Sequence, residues 1–130
     1  MTNRLVHKLF LLAAVGWAAL IYLLSDQPGM DVIPLFPGQD KVFHAIVFGV
    51  LGFLVLGTLH PETKGYSISQ VLIAVGLAAF YGMLDEFHQR FVPGRTADTW
   101  DVVADVGGAM LGVYVLYTFV RLRSRNNPSG

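Results

Sequence analysis

Residues 85–105 read DEFHQRFVPGRTADTWDVVAD and hold five of the chain's nine carboxylates. Asp85 and Gln89 are four apart and Glu86 and Gln89 three apart, so each pair can share a helical face. Asp98, Asp101 and Asp105 fall at i, i+3 and i+7, again one face. A second polar group, Asp40, Lys41 and His44, opens another apolar run at spacings that also share a face. These residue types suit proton transfer and anion binding. His44 beside a carboxylate is a candidate general acid or base. Glu86 is a second candidate, with Asp85 and Asp101 completing the catalytic set. Arg95 carries a planar guanidinium suited to a phosphate or carboxylate, and Lys41, Gln89, Asp40 and Asp105 join it as candidate substrate-binding residues. Val92-Pro93-Gly94-Arg95 has proline second and glycine third, which predicts a type II turn that folds Arg95 back over a pocket.

A purely structural reading exists for each of these residues, such as a salt bridge from Arg95 to Asp101 or Asp105. For the set as a whole function is favoured, because packing helices does not require so many polar groups inside apolar runs. Asp101, Asp105, Asp85 and His44 are available donors for a divalent cation, but no spacing here forms a metal signature. The expected site therefore names no metal, and the cofactor is left open.

The elements that must position these residues are four apolar runs. The chain has 130 residues, 54% hydrophobic and only 14% charged, where about 25% charged is usual. Spans are expected at about 5–24, 42–59, 68–84 and 102–120. About 20 helical residues at 1.5 Å each cross a hydrocarbon core of ~30 Å. The first run is read as a retained span and not a cleaved leader, since no A-x-A-like site follows it. Pro28, Gly29, Pro34, Pro37 and Gly38 mark the first connection as a loop. His60 to Ser67 is a short turn, and the tail from Arg121 is expected to fray. The predicted fold is therefore all-α, a four-helix membrane bundle in one domain, 1–130. Small residues at helical spacing, Ala45 and Gly49, Ala74, Ala78 and Gly82, Gly108 and Gly112, predict close backbone contact between helices.

Counting Lys and Arg orients the bundle. Arg4, Lys8, Lys64, Arg121, Arg123 and Arg125 fall on one side, and Lys41, Arg90 and Arg95 on the other. The positive-inside rule then puts both termini in the cytoplasm and the polar pocket outside. Tyr22 and Trp100 stand where an outer aromatic belt is expected. His7 and His60 fall on the opposite side, and His88 is the weakest placed of the polar stretch. Zero net charge leaves no footprint for nucleic acid, and the lack of cysteine excludes disulfides and thiolate metal sites.

LSDQPG after the first span, DKVFH opening the second and DEFHQRFVPGRTADTWDVVADVGG between the third and fourth resemble the VanZ-like membrane family over Leu24 to Gly112. Ser25, Asp40, Lys41, His44, Asp85, Glu86, Gln89, Pro93, Gly94, Arg95, Asp98 and Asp101 match its pattern. Asp105 departs from it, standing where the family often has asparagine. The resemblance implies a multi-pass protein of the bacterial cytoplasmic membrane, with a link to tolerance of the glycopeptide teicoplanin. It also implies kinship with small helical membrane proteins proposed to act on lipid head groups. Three functions compete. The first is an enzyme that hydrolyses or transfers a phosphate-linked head group of an envelope lipid, a polyprenyl carrier being one candidate. The second is a non-catalytic binder of such a lipid or of a peptidoglycan precursor. The third is a transporter or proton relay, disfavoured because no ionisable chain continues to the other face. Oligomeric state is not legible.

Overall fold

A computed structural model describes residues 3–29, 33–59, 61 and 65–126. They form four helices, α1 (Asn3–Ser25), α2 (Gln39–Thr58), α3 (Ile68–Gln89) and α4 (Thr99–Asn126). Each is long and apolar enough to cross a membrane. Leu12, Phe43, Leu72, Phe80, Leu111 and Phe119 are exposed, whereas Asp85, Glu86, Gln89, Asp101 and Asp105 are buried. That inversion of the usual soluble pattern is what a lipid solvent selects.

The helix boundaries follow from local chemistry. Ser67 starts α3 with a capping box: its hydroxyl accepts from Gln70 N–H, and the Gln70 side-chain oxygen accepts from Ser67 N–H at 2.9 Å. Asp98 caps α4, its carboxylate accepting from Trp100 N–H at 2.9 Å. Gly38 enters α2 at φ 78°, a left-handed conformation that glycine adopts without steric cost. The expected turn is present, with Arg95 N–H donating to Val92 O at 3.2 Å and Gly94 at φ 74°.

Two helix ends run five or more residues past the expected spans, while the other boundaries fall within three residues. α3 runs on through Gln89, five residues beyond the expected end at 84. No breaker intervenes before Pro93, and the polar side chains of that last turn find partners inside the bundle. α4 continues to Asn126, so the basic stretch from Arg121 is helical and does not fray there. Arg123 and Arg125 lie in its last turn, where the helix dipole favours cations. His60, Glu62 and Lys64 of the turn before α3 lie outside the described residues.

α2 and α4 pack closest. A Cβ on Gly112 would sit 1.8 Å from Gly49 O, and one on Gly108 2.0 Å from Ala45 O. The small-residue spacing therefore does its expected work, specifically between these two helices. α1 attaches through side chains that donate to backbone carbonyls. Trp17 Nε1 reaches Val47 O at 2.9 Å, and the Tyr81 hydroxyl reaches Ala18 O at 2.6 Å. Far from the polar end, His7 Nδ1 lies 3.0 Å from Gly57 O. One apolar cluster centres on Ile21, Phe48, Leu51, Ala78 and Ala109, another on Leu56, Tyr66, Ala74, Val113 and Leu116. The ends of α1 and α3 and the starts of α2 and α4 thus meet at one end of the bundle.

Candidate functional site

The meeting point of those four helix ends is built around His44. It lies one turn into α2, and its Nδ1 is 2.8 Å from Asp105 Oδ1 on α4. With Asp105 ionised its carboxylate only accepts, so Nδ1 carries the hydrogen, and in the neutral form of the ring Nε2 is the basic atom. Phe48, one turn further along α2, lies parallel to the imidazole, with planes 2° apart and centroids 6.4 Å apart. Asp101 Oδ2 stands 4.0 Å from His44 Nε2.

Asp105 is 0% exposed, and the bundle makes room for it by omitting a side chain from α3. A Cβ on Gly82 would lie 2.8 Å from Asp105 Oδ2 and 3.0 Å from its Cβ. Gly82 thus belongs to the site as well as to helix packing. Glu86, one turn along α3, accepts the backbone N–H of Asp98 at Oε1. Its Oε2, like Asp105 Oδ2, is buried with no hydrogen-bond partner among the described residues. Two such oxygens in one small protein call for an explanation, because an unpaired buried polar atom ordinarily costs about 1–3 kcal/mol.

The two cations behave differently. Lys41 Nζ donates to Asp40 Oδ2 at 3.0 Å, Asp98 Oδ2 at 2.8 Å and Asp101 Oδ1 at 3.0 Å. All three ammonium hydrogens are spent on carboxylates, so Lys41 ties α2 to the start of α4. Arg95 meets no carboxylate among the described residues. Instead it donates from Nη2 to Leu24 O at 2.9 Å and from Nε to Gln27 O at 3.2 Å, holding the end of α1. The salt bridge considered from sequence, Arg95 to Asp101 or Asp105, is not formed: Lys41 takes Asp101 and His44 takes Asp105.

Gln89 Nε2 donates to Asp85 Oδ2 at 2.9 Å and to Ser25 Oγ at 3.4 Å. The expected Asp85–Gln89 pairing is thus made, while Glu86 turns to Asp98 and not to Gln89. Ser25, His44, Asp85, Gln89 and Arg95 line a cleft of about 140 Å³ together with Ile21, Leu24, Phe43, Val47 and Phe48. Asp40 stands apart, exposed and bonded only to Lys41. Hence the candidate residues of α2, α3, α4 and the 92–95 turn gather at one end, with Asp40 on the rim. His88 lies outside the cleft, its Nε2 3.0 Å from Asp26 Oδ1 and its ring beside Tyr22. Among the described residues, no three His, Asp or Glu side chains are grouped to hold a metal ion.

Three contributors fall outside the predicted set. Ser25 was legible as the serine after the first span that matches the family pattern, without an assigned role. Asp98 was legible as sharing a face with Asp101 and Asp105 and as a match to the family pattern, and Gly82 only as one of a row of small residues. The Lys41 hydrogen bond and the Trp100 N–H hold the Asp98 carboxyl below its usual range. A carboxyl lowered on folding stabilises above its unfolded value, near 3.8, and that stabilisation drains away as pH falls through the lowered folded value. Asp98→Asn is expected to flatten the acid limb of thermal stability below about pH 4, read as melting temperature against pH in detergent.

Comparison with known proteins supplies one match. The family model VanZ/LLP1 matches residues 10–121. No curated protein and no solved structure matches.

Proposed function

The chain belongs to the VanZ/LLP1 family of multi-pass membrane proteins, and from that premise we propose that it hydrolyses or transfers a phosphate-linked head group of an envelope lipid at the extracytoplasmic face. One observation carries this reading: His44, oriented by Asp105, lines the same cleft as Arg95, a cation with no carboxylate partner among the described residues. An unneutralised guanidinium beside a basic imidazole suits an anionic ester. Arg95 holds the phosphoryl oxygens. His44 Nε2 takes the proton of the attacking water or alcohol as its oxygen bonds to phosphorus. The bond from phosphorus to the leaving oxygen breaks, and that oxygen takes the proton from the His44 imidazolium, which returns the ring to its neutral form. Glu86, whose Oε2 is buried with no hydrogen-bond partner among the described residues, is the second candidate to share this acid–base duty. Gln89, braced by Asp85 and Ser25, orients the head group. Lys41 fixes Asp101 and the start of α4. Such chemistry rests on positioning and charge stabilisation more than on covalent assistance.

The side of the membrane follows from charge. Arg4, Lys8, Arg121, Arg123 and Arg125 lie at the end opposite the cleft, and Lys41, Arg90 and Arg95 at the cleft end. The positive-inside rule assigns the cleft to the outer leaflet.

Gently purified protein is expected to retain a phosphate-bearing lipid, identified by mass spectrometry, and to release its soluble head group on incubation. Arg95→Ala should weaken retention about tenfold or more, the loss of a charge-assisted contact. Retention with no release across phosphatidyl and polyprenyl phosphate lipids would make the protein a binder and end the catalytic reading.

A further inference from the structure

We infer that the lipid reaches the cleft sideways, through a window between α1 and α2 framed by Leu24 and Phe43, and that these two residues select for its chain. This rests on the head-group reading above. At the aqueous end of the cleft, the segment after α1 packs as a cover on the 92–95 turn. Gly29 N–H donates to Pro93 O at 3.0 Å, and a Cβ on Gly29 would lie 1.8 Å from Gly94 O, so the segment after α1 is seated directly on the 92–95 turn. Arg95 fastens the same cover through Leu24 O and Gln27 O. The lower edge is marked by Trp17, which joins α1 to α2 through its bond to Val47 O.

Between cover and lower edge, the cleft walls that reach the surface are apolar. Leu24 is 54% exposed and Phe43 57% exposed, and both line the cleft on helices that span the membrane. Exposed apolar side chains of spanning helices face lipid, so this side opens to acyl chains and not to water. Behind them stand the polar groups His44, Gln89 and Arg95. A cleft of about 140 Å³ resembles the ~150 Å³ cavity that accommodates benzene. It holds a phosphate and its ester oxygens, and leaves no space for the chain. The chain must therefore stay in the bilayer, lying across Leu24 and Phe43 while the head is inside.

The test compares a lipid probe with a soluble one. Phosphatidic acid in phosphatidylcholine nanodiscs is followed by native mass spectrometry of retained lipid. Phenyl phosphate, small and without a chain, is followed by phosphorus NMR line broadening. Leu24→Trp and Phe43→Trp, which narrow the window, are expected to weaken phosphatidic acid retention about tenfold, the scale of overpacking a fitted contact. Phenyl phosphate binding should stay within about twofold, and Leu23→Trp, exposed but outside the cleft, should change neither. Phosphatidic acid retention that is unaltered in both window variants overturns the inference, as does a parallel loss of both probes. If the unsubstituted protein binds neither probe, the head-group reading itself falls, and the inference with it.

Discussion

His44→Ala is expected to lower head-group turnover by about 10²–10⁴-fold, the usual contribution of a positioned acid–base group, while leaving KM little changed. The split between the two constants is the informative part. The anion is held by Arg95, which the substitution does not touch, so ground-state binding should survive and the transition state should not. A rise in KM at constant kcat would instead make His44 a binding residue. The substitution also leaves Asp105 without its hydrogen bond from Nδ1, in a position that is 0% exposed and already has one unpartnered oxygen. Breaking one side of a buried charged pair destabilises, so a melting curve must accompany the kinetics. Asp105→Asn separates the two effects. Its amide oxygen can still accept from Nδ1, so the ring stays oriented, but the charge that stabilises a protonated imidazole is gone. An intermediate loss of kcat with a near-normal melting temperature is the expected result. Undiminished turnover in purified His44→Ala protein would remove His44 from the mechanism.

The logic of the site explains why part of it was legible in the sequence and part was not. Periodicity assigns residues to faces, and a face is enough to say that Asp85 and Gln89 meet, or that Asp98, Asp101 and Asp105 point the same way. Membrane energetics add that His44 and those acids must share an interior, because lipid offers them no partners. Neither argument chooses among partners within reach. Lys41 sits beside Asp40 in sequence, yet its long stem lets it bridge to Asp98, the cap of α4, and to Asp101 in its first turn, which sequence spacing does not encode. Arg95 was legible as a cation on a turn. That its first partners are the end carbonyls of α1 depends on where α1 docks, and α1 docks through Trp17 and Tyr81, whose hydrogen bonds leave no periodic trace. The extension of α3 through Gln89 was hidden for a related reason. Polar residues at the end of an apolar run look like the end of a span until their partners inside the bundle are known.

That dependence of the site on helix packing gives Gly82 a larger role than its row of small residues suggests. Gly82→Ala is expected to lower both the melting temperature and turnover, while Gly76→Ala on the same helix should raise the melting temperature. Replacing a mid-helix glycine by alanine ordinarily stabilises by roughly 0.5–1 kcal/mol through backbone entropy. Gly76 has nothing within 4 Å of a new Cβ, so that gain should appear undiminished. At Gly82 the methyl would stand 2.8 Å from Asp105 Oδ2, 3.0 Å from its Cβ and 3.2 Å from its Cγ. Rotating the carboxylate cannot relieve all three contacts, because the Cβ moves only with α4. The Oδ1 atom is moreover held by His44. Either α3 and α4 separate or the His44–Asp105 bond breaks, and overpacking on this scale costs about 1–3 kcal/mol, more than the entropy returns. The distinguishing readout is kcat. A packing defect alone would lower the melting temperature and leave the surviving folded protein fully active, whereas displacement of Asp105 should carry the imidazole with it and depress kcat in the folded fraction. Equal stabilisation of both glycine variants, with unchanged turnover, would show that Asp105 is not seated against α3, and the geometry assigned to His44 would lose its support.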